Sequence, residues 1–164
     1  AERERLQELR GRAHRLLDTS DMTPHELRET LGRLFAENGQ TGMTVTVMSF
    51  GFKHGVPIDA DLVLDVRFLP NPYWVDNLAP LTGKDAAVEE YVLKWPTAKR
   101  FMEKTNEYLD FLLTQYAQEG RSHILIGIGC TGGRHRSVAI ARQIGDFLRG
   151  RGLEVHVQHR DLSE

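Results

Sequence analysis

Ile124-Leu125-Ile126-Gly127-Ile128-Gly129-Cys130-Thr131-Gly132-Gly133-Arg134-His135-Arg136-Ser137-Val138 is the stretch on which the fold turns. Residues 123–128 form an apolar, β-branched run that predicts a buried strand. Residues 129–133 carry three glycines and predict a tight loop, and apolar spacing from Arg134 or His135 to Leu148 predicts a helix. A second β-rich run at 153–158 follows. Strand, loop, helix and strand at this spacing make a β-α-β unit, and hence an α/β fold with a mostly parallel sheet flanked by helices.

The same stretch carries the chemistry. Adjacent glycines at 132 and 133 let backbone N–H groups approach a ligand with no Cβ in the way, and a helix N-terminus adds unpaired donors and partial positive charge. Arg136 supplies a guanidinium fork suited to phosphate oxygens, and Thr131 and Ser137 add hydroxyls. Cys130 and His135 sit within the same loop and helix start. The reading is an anion cradle made of Cys130, Thr131, Gly132, Gly133, His135, Arg136 and Ser137. A different class fits the same spacing: Cys130-x-x-Gly133-x-x-Arg136-Ser137 matches the C-x-x-G-x-x-R-[ST] loop of cysteine-dependent phosphatases. In that loop a thiolate attacks phosphorus and the arginine binds the phosphoryl oxygens. The general acid would then be Asp59, Asp61 or Asp65, and Gly129 stands where those enzymes usually carry a His.

Outward from this unit, the alternation at 43–50 predicts a first strand and the run 62–68 a second. That gives a sheet of four or five strands. Between them, residues 51–57 make a polar loop holding Lys53 and His54. Pro70-Asn71-Pro72 forbids regular structure. Helices are predicted at 85–94 and 97–118, separated by Pro96, the second with Phe101, Tyr108, Leu109, Leu112 and Leu113 on one face. Upstream, Thr23, Pro24 and Glu26 form a capping-box start for a helix over 24–37. The segment 2–17 is rich in Arg, Glu and Leu at helical spacing.

Composition bounds the function classes. At 164 residues, 40% hydrophobic and 27% charged, the chain reads as one globular domain, with no repeat at a period of about 20–50 residues that would make a solenoid and no low-complexity linker. No apolar run approaches the length that spans a bilayer, the first fifteen residues are too charged for a signal peptide, and the single cysteine suits a reducing compartment. The expectation is a cytoplasmic protein with no membrane partner. The net charge of −2 hides an asymmetry, because residues 121–160 carry seven arginines against Asp146 and Glu154. Nothing in the spacing suggests a metal site.

The longer pattern resembles a known family. Ser49-Phe50-Gly51-Phe52-Lys53-His54-Gly55-Val56-Pro57-Ile58-Asp59-Ala60-Asp61-Leu62-Val63-Leu64-Asp65-Val66-Arg67-Phe68-Leu69-Pro70-Asn71-Pro72, then Leu81-Thr82-Gly83-Lys84-Asp85, then Gly129 to Val138, resembles the C-terminal domain of the RapZ (YvcJ) family. On this resemblance, residues 1–40 hold the tail of an N-terminal P-loop domain plus a helix, 41–160 form the sensor and RNA-binding domain, and 161–164 are a tail. No G-x-x-x-x-G-K-[ST] occurs, so no nucleotide hydrolysis, no catalytic residue and no cofactor are expected of this stretch. The resemblance implies a bacterial regulatory protein that senses glucosamine-6-phosphate, works as an adapter between small RNA and an RNase, and assembles as a homo-oligomer. The cradle would take the phosphate; Lys53, His54, Asp61, Asp65 and Asn71 are the candidates for the sugar. Asp65 and Arg67, two apart, are also placed simply to pair. RNA contacts would fall to Arg121, Arg149, Arg151 and Arg160, although the chain closes on the acidic Asp161-Leu162-Ser163-Glu164 where enterobacterial members resemble a Lys/Arg-rich tail.

Overall fold

The computed structural model describes residues 17–24, 26, 27, 30, 31 and 42–162. The chain divides into two compact units, 1–41 and 42–164. In the first, the capping box forms as the sequence predicts. Thr23 N–H and Oγ1–H both donate to Glu26 Oε2 at 2.8 Å, and Glu26 N–H returns a bond to Thr23 Oγ1 at 3.3 Å. The segment 2–16, with its helical spacing, and the expected helix beyond residue 31 lie outside the described residues, and Leu17 is not helical.

The second unit is an α/β layer. Its elements are β1 (Thr44–Gly51), β2 (Leu62–Asp65), α1 (Ala86–Leu93), α2 (Pro96–Gln118), β3 (His123–Cys130), α3 (Arg136–Gly150) and β4 (Glu154–His159), with short 3-10 turns at Phe52–His54 and Pro72–Trp74. The four strands are all parallel in the order β2-β3-β1-β4. The α/β class and the parallel sheet are as expected, with four strands.

Strand alternation sends Val45, Val47, Ile124, Ile126 and Ile128 to one face, where they join residues of all three helices in one buried cluster. Full burial of each such side chain contributes about 1.5–3 kcal/mol. The opposite face of β3 carries Gly127 and Gly129, because the β1–β2 crossover lies there. A Cβ on Gly129 would stand 2.5 Å from the rings of Phe50 and Phe52, and one on Gly127 would stand 3.2 Å from Phe50 and 3.7 Å from Ala60. Two crossovers therefore leave adjacent strands in opposite directions. That from β1 passes β3 to reach β2, and that from β3 passes β1 to reach β4. The crevice beyond the carboxyl ends of β1 and β3 is a topological switch point, the usual ligand position in open parallel sheets.

Two local readings differ from the sequence. The second strand stops at Asp65 rather than Phe68, because Asp65 Oδ1 accepts the Arg67 N–H at 2.9 Å and turns the chain, while Arg136 takes the Arg67 and Leu69 carbonyls. Pro96 opens α2 instead of preceding it, as suits a residue lacking the N–H that a first helical turn leaves unpaired. On α2 the buried face is Ala98, Thr105, Leu109 and Leu113, and Tyr108 faces outward.

Candidate functional site

At the switch point, β3 ends on Cys130 and the chain turns through Thr131, Gly132 and Gly133 into α3. Gly133 has φ 75°, and a Cβ there would lie 2.7 Å from Gly51 N, so only glycine fits. A Cβ on Gly51 would in turn meet Gly132 at 2.6 Å. The ends of β1 and the loop are thus backbone against backbone. The start of α3 has no side-chain cap, which leaves its first-turn N–H groups available to a ligand.

Arg136 is 5% exposed and has no carboxylate among its hydrogen-bond partners. Nη1 donates to the carbonyls of Arg67 (2.6 Å) and Leu69 (2.9 Å), and Nη2 donates to Thr131 Oγ1 at 3.2 Å. Nε–H has no partner at all. Of five donors, Nε–H and one on Nη2 remain, and an unmet buried donor costs about 1–3 kcal/mol until an acceptor arrives. His135, 7% exposed, also has an unpartnered Nε2. Burial pushes its imidazole below the ordinary histidine range, against hydrogen bonds with the Ala79 and Leu81 backbone. The Cys130 sulfur accepts the Gly133 N–H at 3.3 Å and lies 3.1 Å from the buried Ser137 hydroxyl.

The motif around Gly83 buttresses this start. Gly83 N–H donates to the Arg134 carbonyl at 2.9 Å, and a Cβ on Gly83 would stand 2.2 Å from the His135 carbonyl. Arg134 reaches back to the carbonyls of Pro80 (2.7 Å) and Leu81 (3.1 Å). Thr82 closes the segment onto Asp85 through N–H (2.7 Å) and Oγ1–H (2.8 Å), bonds that hold the Asp85 carboxyl below its usual range.

The cleft over the loop has a volume of about 770 Å³. Of the residues expected to bind, Cys130, Thr131, Gly132, His135, Arg136, Lys53, His54 and Asn71 line it together. Gly133 and Ser137 do not; they are buried beneath, shaping the loop. Asp61 lies elsewhere, accepting the Leu125 N–H at 2.8 Å and Arg121 Nη1 at 3.3 Å, five residues before the end of β3. Asp65 does not line the cleft either: it pairs with Arg67 at 2.6 Å, and that bond holds its carboxyl below the usual range.

Sequence reasoning missed Tyr73, Trp74, Arg134, Asp161 and Leu162, which complete the cleft together with Arg160, expected instead as an RNA contact. Asp161, expected in a terminal tail, instead accepts the Gly51 N–H at 2.7 Å and pairs with Arg160 at 2.8 Å. Burial raises its carboxyl, but the Arg160 and Gly51 bonds outweigh that and hold it below the usual range. The signal for residues 160–162 was β4 itself: a β-α-β unit delivers its second strand end to the same edge as its first.

Of the arginines expected to contact RNA, each has a carboxylate partner. Arg121 pairs with Glu119 and Asp61, Arg149 with Asp146, Arg151 with Asp110, and Arg160 with Asp161. Among the described residues no cluster of three or more His, Cys, Asp or Glu side chains is placed to hold a metal. No helix among them is long and apolar enough to cross a membrane.

Residues 43–163 match the family model described as the RapZ C-terminal domain. The chain is 53% identical over 163 residues to a nucleotide-binding protein of Bacillus licheniformis, covering 99% of the chain and 55% of that protein. It is 52% identical over 163 residues to nucleotide-binding protein YvcJ of Bacillus subtilis, with the same coverage. To a nucleotide-binding protein of Moorella thermoacetica it is 51% identical over 161 residues, covering 98% of the chain and 54% of that protein. The chain thus spans about half the length of these curated relatives. The glycine-loop cradle, the motif that buttresses it and the sheet beneath all fall inside the matched region, and the chain belongs to the RapZ C-terminal domain family.

Proposed function

We propose that the cleft binds a phosphorylated amino sugar of the glucosamine-6-phosphate class and that the domain acts as a sensor, without turning its ligand over. The observation that carries this reading is Arg136: a buried guanidinium with no carboxylate partner and an unmet Nε–H, at the uncapped start of α3 beside a glycine loop. A phosphate there meets the arginine, the first-turn N–H groups and the Thr131 hydroxyl together. Among the cleft's polar groups, Lys53, His54, Asn71 and His135 are the ones this reading assigns to the sugar hydroxyls. No cofactor enters this reading.

Beyond the cleft, the proposal is that the whole protein is a cytoplasmic RNase adapter controlling amino-sugar or cell-envelope precursor synthesis, as a homo-oligomer with small RNA and an RNase or other regulatory protein as partners. The RNA arm is checked by filter binding of structured RNA at two salt concentrations. Salt-dependent retention is expected if arginines 121, 149, 151 and 160 exchange their carboxylate partners for phosphates, and its absence removes that arm.

Ligand that binds only the folded state raises the melting temperature. Titration with glucosamine 6-phosphate, inorganic phosphate and glucosamine tests the sensor reading. The sugar phosphate should stabilise most and glucosamine least, with Arg136→Ala abolishing the effect. No stabilisation by either phosphate would overturn the reading.

One observation favours a second reading, a cysteine-dependent phosphatase: the Cys130 sulfur faces the Gly133 N–H and the Ser137 hydroxyl, donors that suit a thiolate. Its acid is the weak point, since Asp61 and Asp65 are paired away from the cleft and Asp59 does not line it. Hydrolysis of an aryl phosphate that Cys130→Ser removes would establish this reading; no turnover would eliminate it.

A further inference from the structure

Trp74 lines the phosphate cleft and yet is 79% exposed, with Tyr73 beside it at 58%. The two rings meet edge to face with centroids 5.2 Å apart. Their backbone is firmly held. Asn71 Oδ1 accepts the Tyr73 N–H at 3.3 Å, the Asn71 carbonyl accepts the Trp74 N–H at 3.3 Å, and the Pro72 carbonyl accepts the Val75 N–H at 3.0 Å over a buried Pro72 ring. The segment leading to this turn is tied to the cradle, because Arg136 holds the Arg67 and Leu69 carbonyls. A fixed turn therefore presents a large apolar ring to solvent at the wall of a cleft whose floor is cationic. An indole so placed recognises a flat face and offers one N–H donor.

We propose that Trp74 is the specificity-determining residue of the cleft, stacking on the ring of a ligand whose phosphate sits in the cradle. The ligand class narrows to phosphomonoesters built on a ring, either a pyranose with its C–H face or a nucleobase, and acyclic phosphates lack the contact. This inference rests on the phosphate-cleft reading above. Its tests separate the two.

The chain has two tryptophans, and Trp95 immediately precedes α2, its ring edge to face with Tyr91. In a Trp95→Phe background, Trp74 becomes the sole indole reporter. Glucosamine 6-phosphate and adenosine monophosphate are compared with glycerol 3-phosphate and inorganic phosphate, by Trp74 fluorescence and by calorimetry. A change in Trp74 emission is expected with at least one ring-bearing phosphate and none with the acyclic pair. Which of the two responds identifies the ring. Trp74→Ala should weaken that ligand about fivefold to tenfold, as expected for one lost stacking contact of about 1–1.4 kcal/mol, and leave inorganic phosphate unchanged. Trp74→Phe should restore part of the affinity. Equal affinities for ring-bearing and acyclic phosphates, or no loss in Trp74→Ala, would overturn the inference while leaving the phosphate cleft intact. Failure of every phosphate to bind the wild-type chain would overturn both.

Discussion

Arg136 shows how a single residue joins fold to site. Two of its donors hold the Arg67 and Leu69 carbonyls just past β2, and its Nε–H is buried without a partner in a residue that lines the cleft. Removing it therefore costs stability as well as ligand. Arg136→Ala should lower unfolding free energy by about 1–3 kcal/mol, the range for stranding buried acceptors, measured by urea denaturation without ligand. The two loop glycines are predicted to behave differently. Gly133→Ala meets both a φ of 75° and a 2.7 Å approach to Gly51, and should cost at least about 1–3 kcal/mol. A Cβ on Gly132 faces nothing nearer than the Lys53 side chain at 3.7 Å, so Gly132→Ala should shift stability by no more than about 0.5 kcal/mol. It should still weaken phosphate binding, because the added methyl occupies the approach to the loop. Circular dichroism melts of the two variants, with a phosphate titration of the second, check this pair.

At the scale of elements, α3 is positioned by contacts that no local pattern announces. The glycine loop and the apolar spacing after it are local signals, and they place its start within two residues of Arg136. The role of Leu81-Thr82-Gly83-Lys84-Asp85 was not readable, since its partners lie some fifty residues on, at Arg134 and the His135 carbonyl. Gly83→Ala should force that segment off the first turn of α3. It should cost about 1–3 kcal/mol and weaken ligand binding without touching the cleft, which thermal melts and titration of the variant will show. The same limit explains the candidate sugar residues. Lys53, His54 and Asn71 sit in a polar loop and a proline pair at strand ends, and they line the cleft. Asp61, just before the second strand, and Asp65, at its end, have the same polar type, but their partners Arg121, Leu125 and Arg67 draw them away. Polar type fixes what a side chain can bind; only the packed neighbours decide what it does bind.

For the whole molecule, the all-parallel order β2-β3-β1-β4 gathers the ends of β1, β3 and β4 at one edge, which is how residues 53–54, 130–132, 134–136 and 160–162 come to share a site. That order also ties stability to pH. Burial holds His135 and His159 below the ordinary value of 6.5, so the folded state favours their neutral forms. Lys84 and Arg142 add to the effect at His159, whose Nδ1 meets the Ser49 hydroxyl at 2.9 Å. Above pH 6.5 their contribution is fully present. As pH falls through 6.5 toward the depressed folded values, the unfolded chain binds more protons and stability is lost. The urea midpoint should therefore drop between pH 7.5 and 5, with a shallower slope in His159→Gln. An equal slope in that variant would exclude His159 as a source. The central claim remains the phosphate cradle, and its most direct measurement is a ¹H–¹⁵N correlation spectrum of the labelled chain titrated with glucosamine 6-phosphate and, separately, glucosamine. Saturating shifts of the Thr131 to Val138 amides with the phosphate, and far smaller ones with the free sugar, are predicted. Unmoved amides in that stretch at saturating sugar phosphate would contradict the account.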